Sequence, residues 1–174
     1  MRKDALGLTL VELMVTLVAF AVLIGIAAPA FGNLVEQNRV TSATNSFLAT
    51  LHLARSEAIR RGSPVTLCTS QDGNTCSEAI GWDGGWLLYQ NAALATQPPG
   101  PDAIVRVGQE APRVEIAGNT PTRHYISFDA LGQSQQLSGA WLMGTVRVCA
   151  GEGSGRAIVL SNTGRPRVGE ATCG

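Results

Sequence analysis

One apolar segment, residues 8–31, constrains the fold of this chain more than any other feature of its sequence. Glu12 is the only ionisable residue in it. As an α-helix rising about 1.5 Å per residue, the segment would be about 36 Å long, which is enough to cross a hydrocarbon core of about 30 Å. Arg2 and Lys3 precede it, and this charge favours a cytoplasmic N-terminus with the rest of the chain outside. The sequence therefore predicts a membrane-spanning helix followed by an exported domain.

A cleaved secretory signal peptide is the alternative interpretation of the same segment. Ala28, Pro29 and Ala30 resemble a small-residue cleavage site. However, the apolar run is longer than the core of about 7 to 15 residues in typical signal peptides. A carboxylate within the membrane also costs free energy and is by default functional, so Glu12 is expected to have a specific partner. We therefore favour a helix that is kept in the working protein.

A helical period of apolar residues continues beyond the membrane segment, at steps of three or four positions. These residues are Val40, Ala43, Phe47, Leu51, Ala54 and Ala58. The period predicts one helix from Leu8 to about Arg61, with an apolar stripe along one side. Gly62 and Pro64 are expected to end it.

After Pro64, short stretches rich in β-branched and aromatic residues alternate with turn residues. The predicted strands are 65–69, 86–90, 104–107, 113–116, 124–128, 145–150 and 157–161. They predict a mostly antiparallel sheet that covers the apolar stripe of the helix. The predicted fold class is therefore α+β.

Charge and histidine content exclude several classes of function. Thirteen Lys and Arg balance thirteen Asp and Glu, so a polyanion could bind only at a local cluster of positive charge. Every positive residue after Lys3 is an arginine, whose planar guanidinium suits phosphate and carboxylate. The sequence contains no catalytic motif, and His52 and His124 alone offer little acid–base chemistry. We predict a protein that is not an enzyme and has no cofactor.

Four cysteines, Cys68, Cys76, Cys149 and Cys173, all lie in the predicted exported part, where disulfides form readily. Three pairings are possible. We favour Cys68 with Cys76, which closes a small loop, and Cys149 with Cys173, which ties the C-terminal segment to a strand. A metal site is not predicted, because the sequence has no Cys-x-x-Cys and its histidines are far from the cysteines.

The N-terminus resembles that of a type IV prepilin. The residues that carry the resemblance are Gly7-Leu8-Thr9-Leu10-Val11-Glu12, between a short basic leader and the apolar helix. The resemblance implies that a prepilin peptidase removes residues 1–7 by cutting between Gly7 and Leu8, and that the new N-terminus is methylated. It also implies that residues 8–31 form a membrane anchor and then the filament core, and that residues 32–174 form the exported head.

The same resemblance gives Glu12 a partner. It implies that the carboxylate pairs with the N-terminal amine of a neighbouring pilin, which neutralises its charge as the subunit leaves the inner membrane for the filament. It further implies that the head lies in the periplasm before assembly, and on the pilus at the cell surface afterwards. Other pilins, the prepilin peptidase and the inner membrane are therefore the expected partners.

Further segments resemble the GspH/FimT family, whose members are minor pilins or pseudopilins. They are Leu53–Ile59, Gly81–Trp86, and Ile126–Phe128 followed by Gly132. The resemblance implies a type IV pilin-like fold, in which a long N-terminal helix packs on an antiparallel sheet. Three functions stay open: a minor pilin that binds DNA as FimT proteins do, a FimU-type minor pilin with an assembly role only, and a GspH-type pseudopilin of type II secretion.

The segment Gly164-Arg165-Pro166-Arg167 resembles the DNA-binding motif of FimT proteins. In an extended chain, residues two apart project to one side about 6.6 Å apart, so the two guanidinium groups could bind successive phosphates. Arg147 and Arg156, on neighbouring predicted strands, would widen the patch. The resemblance implies weak, sequence-independent DNA binding for uptake in natural transformation.

A purely structural role is the alternative for these arginines. Charged residues on a hairpin edge prevent aggregation between sheets. Glu152 and Glu170 are also near enough in sequence to neutralise Arg165 and Arg167. The positions of these four side chains therefore decide between the two interpretations.

Overall fold

The computed structural model describes residues 9–174, apart from the side chains of residues 26–30, 33 and 154. The predicted leader, residues 1–7, and the predicted cleavage between Gly7 and Leu8 lie outside the described residues. Contacts within the chain divide it into two units, Met1–Glu36 and Gln37–Gly174, and the boundary between them falls inside one helix.

That helix, α1, spans Leu10–Arg61. In the first unit its apolar side chains from Leu10 to Ile24 are exposed, and Phe20, for example, is 64% exposed. In the part of the chain that the structure describes, no helix has the length and apolar character needed to cross a membrane.

In the second unit, α1 buries one stripe of side chains. Six of the buried positions follow steps of three and four residues: Val40, Thr44, Phe47, Leu51, Ala54 and Ala58. Thr50 is buried beside them. The helix ends at Arg61 because Gly62 takes a left-handed conformation with a φ of 59°. The backbone amides of Gly62 and Ser63 donate to the carbonyls of Ile59 and Ala58 at 3.2 and 3.3 Å, which closes the C-terminus as a Schellman motif.

Strands make up the rest of the regular structure in the second unit. They are β1 Val65–Thr69, β2 Trp86–Gln90, β3 Ile104–Gly108, β4 Glu115–Gly118, β5 Tyr125–Phe128, β6 Ser134–Gln135, β7 Gly144–Cys149, β8 Gly153–Leu160 and β9 Pro166–Cys173. One sheet has the order β3-β2-β1-β5-β6 and a second has the order β4-β7-β8-β9. All of these neighbouring strands are antiparallel.

The division into two sheets corrects the prediction of a single sheet. Alternation of apolar and polar residues locates a strand, but the partner of that strand depends on contacts that are distant in sequence. Strand β4 pairs with β7 and not with β3, so β4, β7, β8 and β9 form a second sheet. The predicted α+β class and the antiparallel pairing are confirmed.

Both sheets share one hydrophobic core with the buried stripe of the helix. Trp82, in a short 3-10 turn before β2, is 1% exposed and donates its indole N–H to the carbonyl of Thr122 at 2.9 Å. The ring of Phe47 meets the indole edge to face, with the ring centroids 5.3 Å apart. Leu67 of the first sheet and Ile158 of the second are fully buried in the same core.

Two disulfides join Cys68 to Cys76 and Cys149 to Cys173, which is the pairing that the sequence favours. The second disulfide ties the last residue of β9 to the last residue of β7. It passes over Gly155 of β8, where a Cβ atom would lie 2.3 Å from Sγ of Cys173. The disulfide therefore joins β7 and β9 covalently at the end of the second sheet opposite the β8–β9 turn.

Candidate functional site

The first turn of α1 is closed by reciprocal hydrogen bonds between Thr9 and Glu12. The amide of Glu12 donates to Thr9 Oγ1 at 3.3 Å, and Glu12 Oε2 accepts from the amide and the hydroxyl of Thr9 at 2.9 and 2.8 Å. This arrangement is a capping box, which satisfies backbone donors that the first turn of a helix leaves free. Thr9 is therefore the N-cap, which explains why the helix starts at Leu10.

Thr9 has no role in the sequence-based prediction. The spacing Thr9-x-x-Glu12 before an apolar run is nevertheless the signal for a capping box. Oε2 of Glu12 makes both bonds with Thr9, and no described residue donates to Oε1. Oε1 of this carboxylate can therefore accept a further hydrogen bond.

The C-terminal arginines lie on a hairpin formed by β8 and β9, which we call the terminal hairpin (residues 153–173). Its turn is closed by the amide of Gly164, which donates to the carbonyl of Ser161 at 2.9 Å. Gly164 is buried with a φ of 71°, and a Cβ atom there would lie 1.9 Å from the carbonyl oxygen of Gly132. Both the conformation and the available space therefore require glycine at this position.

Contacts from the helix end and from β6 hold this turn in place. Arg55 Nε donates to the carbonyl of Gly132 at 2.9 Å, directly beside Gly164. The amide of Ser134, in β6, donates to the carbonyl of Asn162 at 3.1 Å. The turn is therefore anchored both to the helix and to the first sheet.

Arg165 and Arg167 are exposed at the start of β9. Arg167 pairs with Val159 of β8, and directly paired residues of antiparallel strands project to the same face. Val159 is 47% exposed, whereas Ile158 and Leu160 on either side of it are buried. We call the face that carries Val159 and Arg167 the outer face of the second sheet, and the core-facing side its inner face.

Arg147 lies on the outer face as well. It pairs with Ala157 of β8, two positions along from Val159. With a strand spacing of about 4.8 Å and a rise of about 3.3 Å per residue, the α-carbons of Arg147 and Arg167 are about 12 Å apart. Arg165 precedes Arg167 by two positions in an extended segment and projects to the same side. Three arginines therefore place positive charge on one face.

Arg156 lies on the inner face, which corrects the prediction that it widens this patch. It pairs with Val148, whose side chain is fully buried, and with Glu170. Arg156 and Glu170 line a groove together with Gln37 of the helix. The error arises because the face of a residue relative to the next strand depends on register, which the turn between the strands sets.

The two predicted acidic neighbours do not neutralise the arginines of the outer face. Glu170 projects to the inner face, and Glu152 lies in the turn at the other end of the hairpin. Among the described residues, the only ion pairs lie within the last turns of α1. Arg165 and Arg167 are therefore available to an external anion, whereas Arg147 shares the outer face with Glu115 of β4, which pairs with Cys149.

The described residues do not form a metal centre. Between residues 9 and 174, no group of three or more His, Cys, Asp and Glu side chains is placed to hold a metal ion, and no cysteine is free. The capping box and the outer-face arginines are therefore the two candidate sites.

Two family models match the chain. Residues 43–164 match the family described as type II transport protein GspH, and residues 2–28 match the prokaryotic N-terminal methylation motif. The pilin-like protein PilA1 of Thermus thermophilus is 31% identical over 173 residues, which cover 93% of this chain and 97% of that protein. The matches to the family models therefore include both the N-terminal segment and most of the second unit.

Solved structures with a similar fold include the type IV minor pilin FimU of Pseudomonas aeruginosa in two crystal forms. The first has a TM-score of 0.59 at 20% sequence identity, and the comparison covers 76% of this chain and 90% of that one. The second has a TM-score of 0.56 at 20% identity and covers 74% and 91%. The predicted type IV pilin-like fold is thereby confirmed, and at this identity the likeness concerns the fold alone.

Proposed function

Because the chain belongs to the GspH family, we propose that it is a minor type IV pilin that binds DNA through its outer-face arginines for uptake in natural transformation. Family membership itself makes the chain a minor pilin or pseudopilin, a structural subunit and not an enzyme. It also makes the chain a membrane-anchored pilus component that associates with other pilins in a filament. The DNA ligand and the step in transformation are proposed beyond that membership.

One observation carries the proposal of DNA binding: Arg165 and Arg167 are exposed on an anchored hairpin and have no ion-pair partner among the described residues. Guanidinium groups bind phosphate through charge-assisted and often bidentate hydrogen bonds. Because Gly164 and Arg55 hold the turn, binding orders little additional backbone. Phosphate contacts carry no sequence information, so the binding is weak and sequence-independent.

We further propose the route by which the protein reaches the filament. A prepilin peptidase cuts between Gly7 and Leu8, residues 8–31 hold the chain in the inner membrane, and the head lies in the periplasm. On assembly, Glu12 pairs with the N-terminal amine of a neighbouring pilin. The match of residues 2–28 to the N-terminal methylation motif supports this route, and Oε1 of Glu12 is the acceptor available for the pairing.

Titration of a labelled DNA duplex with the full-length protein in detergent tests the DNA ligand. Replacing Arg165 and Arg167 together by Ala should abolish measurable binding. In the wild type, with two or three phosphates contacted, log K should fall with log salt at a slope of about −2 to −3. The matched control is Arg156→Ala, the same substitution on the inner face of the same hairpin, which should leave the affinity unchanged. Equal affinities of the double variant and the wild type would contradict the proposal.

Cell assays separate DNA uptake from the two alternative functions, a FimU-type role in assembly only and a GspH-type role in type II secretion. A chromosomal allele with both Arg165 and Arg167 replaced by Ala should lose transformation and keep piliation and twitching. If only deletion of the whole gene reduces transformation, together with piliation, the role is in assembly. If deletion instead abolishes protein secretion, the chain is a pseudopilin.

A further inference from the structure

Three strongly exposed apolar side chains lie in or beside the terminal hairpin. Trp141 is 69% exposed, Met143 62% and Val159 47%. Along this segment Trp141, Met143 and Arg147 are exposed, and Leu142, Val146 and Val148 are buried. Trp141 lies before β7 and bridges Gln135 of β6, so it stands at the edge of the first sheet, next to the start of β7.

The backbone of Trp141 is fixed while its indole is exposed. Its carbonyl accepts a hydrogen bond from the side-chain amide of Gln136 at 3.2 Å, and its backbone forms a bridge to Gln135. The next residue, Leu142, is 1% exposed and donates its amide to the carbonyl of Ser134 at 3.1 Å. An indole presented to solvent from an ordered backbone is typical of a binding surface.

Trp141 lies close to the start of β9. The hydroxyl of Ser134, in β6, is 2.8 Å from the carbonyl of Leu142 and 2.7 Å from the carbonyl of Ser161. The amide of Ser161 in turn donates to the carbonyl of Arg165 at 3.4 Å. One serine therefore connects the residue after Trp141 with the turn that carries Arg165.

The described acidic side chains nearest to Trp141 and Arg165 form no ion pair with the arginines. Asp129, in the turn before β6, directs Oδ1 to the backbone amides of Leu131 and Gln133, which donate to it at 2.9 and 2.8 Å. Glu115 of β4 pairs with Cys149 at the other end of the sheet. An anionic ligand therefore meets exposed arginines and apolar surface here.

We propose that Trp141 and the arginines at the start of β9 form a stacking platform for single-stranded DNA, in which Trp141 stacks on an unpaired base while Arg165 and Arg167 bind the phosphates. The proposal rests on the proposed DNA-binding function and deepens it. Proteins that bind single strands combine a positively charged path with exposed aromatic rings. In a duplex each base is covered by its stacked neighbours, so an indole reaches the face of a base only in an unpaired strand. Met143 and Val159 are further exposed apolar side chains in this region.

Titration of the full-length protein in detergent with a labelled oligothymidine, and with a duplex of the same length, tests the platform. The wild type should bind the single strand more tightly, and its tryptophan fluorescence should fall on binding. Trp141→Ala should weaken single-strand binding at least about fivefold, the lower end of the stacking contribution of one base, and leave duplex binding unchanged. Trp141→Phe should keep most of the affinity. Leu131→Ala, which removes another strongly exposed apolar side chain, should have no effect.

The outcomes separate this platform from the function on which it rests. If Trp141→Ala binds the single strand as well as the wild type does, and duplex binding still requires Arg165 and Arg167, the platform is overturned and the proposed function stands. If the wild type binds neither DNA, the proposed function fails. If Trp141→Ala reduces incorporation into filaments without changing DNA affinity, the surface around Trp141 is an interface between pilins and the platform is again overturned. Equal urea midpoints of wild type and variants verify that each variant is folded.

Discussion

Helix α1 places two phenylalanines in opposite environments. Phe20, in the first unit, is 64% exposed, whereas Phe47, in the second, is 2% exposed and packs against Trp82. Both residues belong to one continuous helix. The first part of the helix is apolar and exposed, and the second part buries a single stripe against two sheets.

This difference teaches that burial within the chain is not what makes the first part helical. Its backbone bonds are satisfied within the helix, and the capping box of Thr9 and Glu12 satisfies the first turn. Exposed apolar surface of this extent marks an interaction site. We propose that neighbouring subunits of the filament cover this surface. The two parts should therefore respond differently to the same mutation.

The largest expected effect comes from one substitution made in each part. Phe47→Ala should lower the free energy of unfolding of the second unit by about 3 to 5 kcal/mol, because it leaves a cavity beside Trp82. Phe20→Ala should leave that free energy unchanged and reduce incorporation into filaments instead. Urea unfolding followed by tryptophan fluorescence, together with immunoblots of sheared pili, measures both effects. The comparison breaks if Phe20→Ala shifts the urea midpoint as much as Phe47→Ala does.

An intermediate effect is expected at Glu12, where charge and capping can be separated. Glu12→Gln keeps a side chain that can complete a capping box but removes the charge, and it should abolish incorporation into filaments. Glu12→Ala should in addition weaken the first turn by about 1 kcal/mol, the usual contribution of a helix cap. Neither variant should change the urea midpoint of the second unit. Glu36→Gln, an exposed glutamate of the same helix, is the control and should assemble normally. Normal assembly of Glu12→Gln would show that the charge is not needed.

The smallest expected effect is at Glu57, in the part of the helix that packs on the sheets. Hydrogen bonds from Arg60 and then Arg61 lower the pKa of Glu57 from its usual 4.5 to about 2. A lowered carboxyl pKa contributes stability above about pH 4.5, and that contribution is lost as the pH falls towards 2. The pairs are at the surface, so the contribution is below about 1 kcal/mol.

The pH dependence of urea unfolding for wild type and Glu57→Gln measures this contribution. The variant should be slightly less stable at pH 7, and the difference should vanish near pH 2. Glu36→Gln should show no pH-dependent difference in the stability of the second unit. A difference at Glu57 that persists unchanged at pH 2 would mean that packing, and not charge, is responsible.

Local signals made part of this fold predictable. Strands β1 and β2 have the predicted bounds, and α1 ends at Arg61, because turn residues such as Gly62 mark these ends. The division into two sheets was not predictable in the same way, since strand pairing depends on contacts far apart in sequence. The two residues of β6 are too few to show a period.

The candidate site was also predictable only in part, and for the same reason. The common side of Arg165 and Arg167 follows from their spacing within one strand. The inner-face position of Arg156 does not, because it depends on the register between strands. Trp141 lies outside every predicted strand, and its exposure depends on Leu142 being anchored in the core.

The Cys149–Cys173 bond has a mechanical consequence for the proposed binding of a long DNA polymer. A pull on Arg165 and Arg167 loads β9 near its start, where Gly164 and its neighbours fasten the turn, while the covalent bond secures the far end of the strand. Because the C-terminal end of β9 is not free, the strand cannot separate from β8 one hydrogen bond at a time from that end. Detaching β9 would require many of the hydrogen bonds between β8 and β9 to break at the same time, which needs a far greater force.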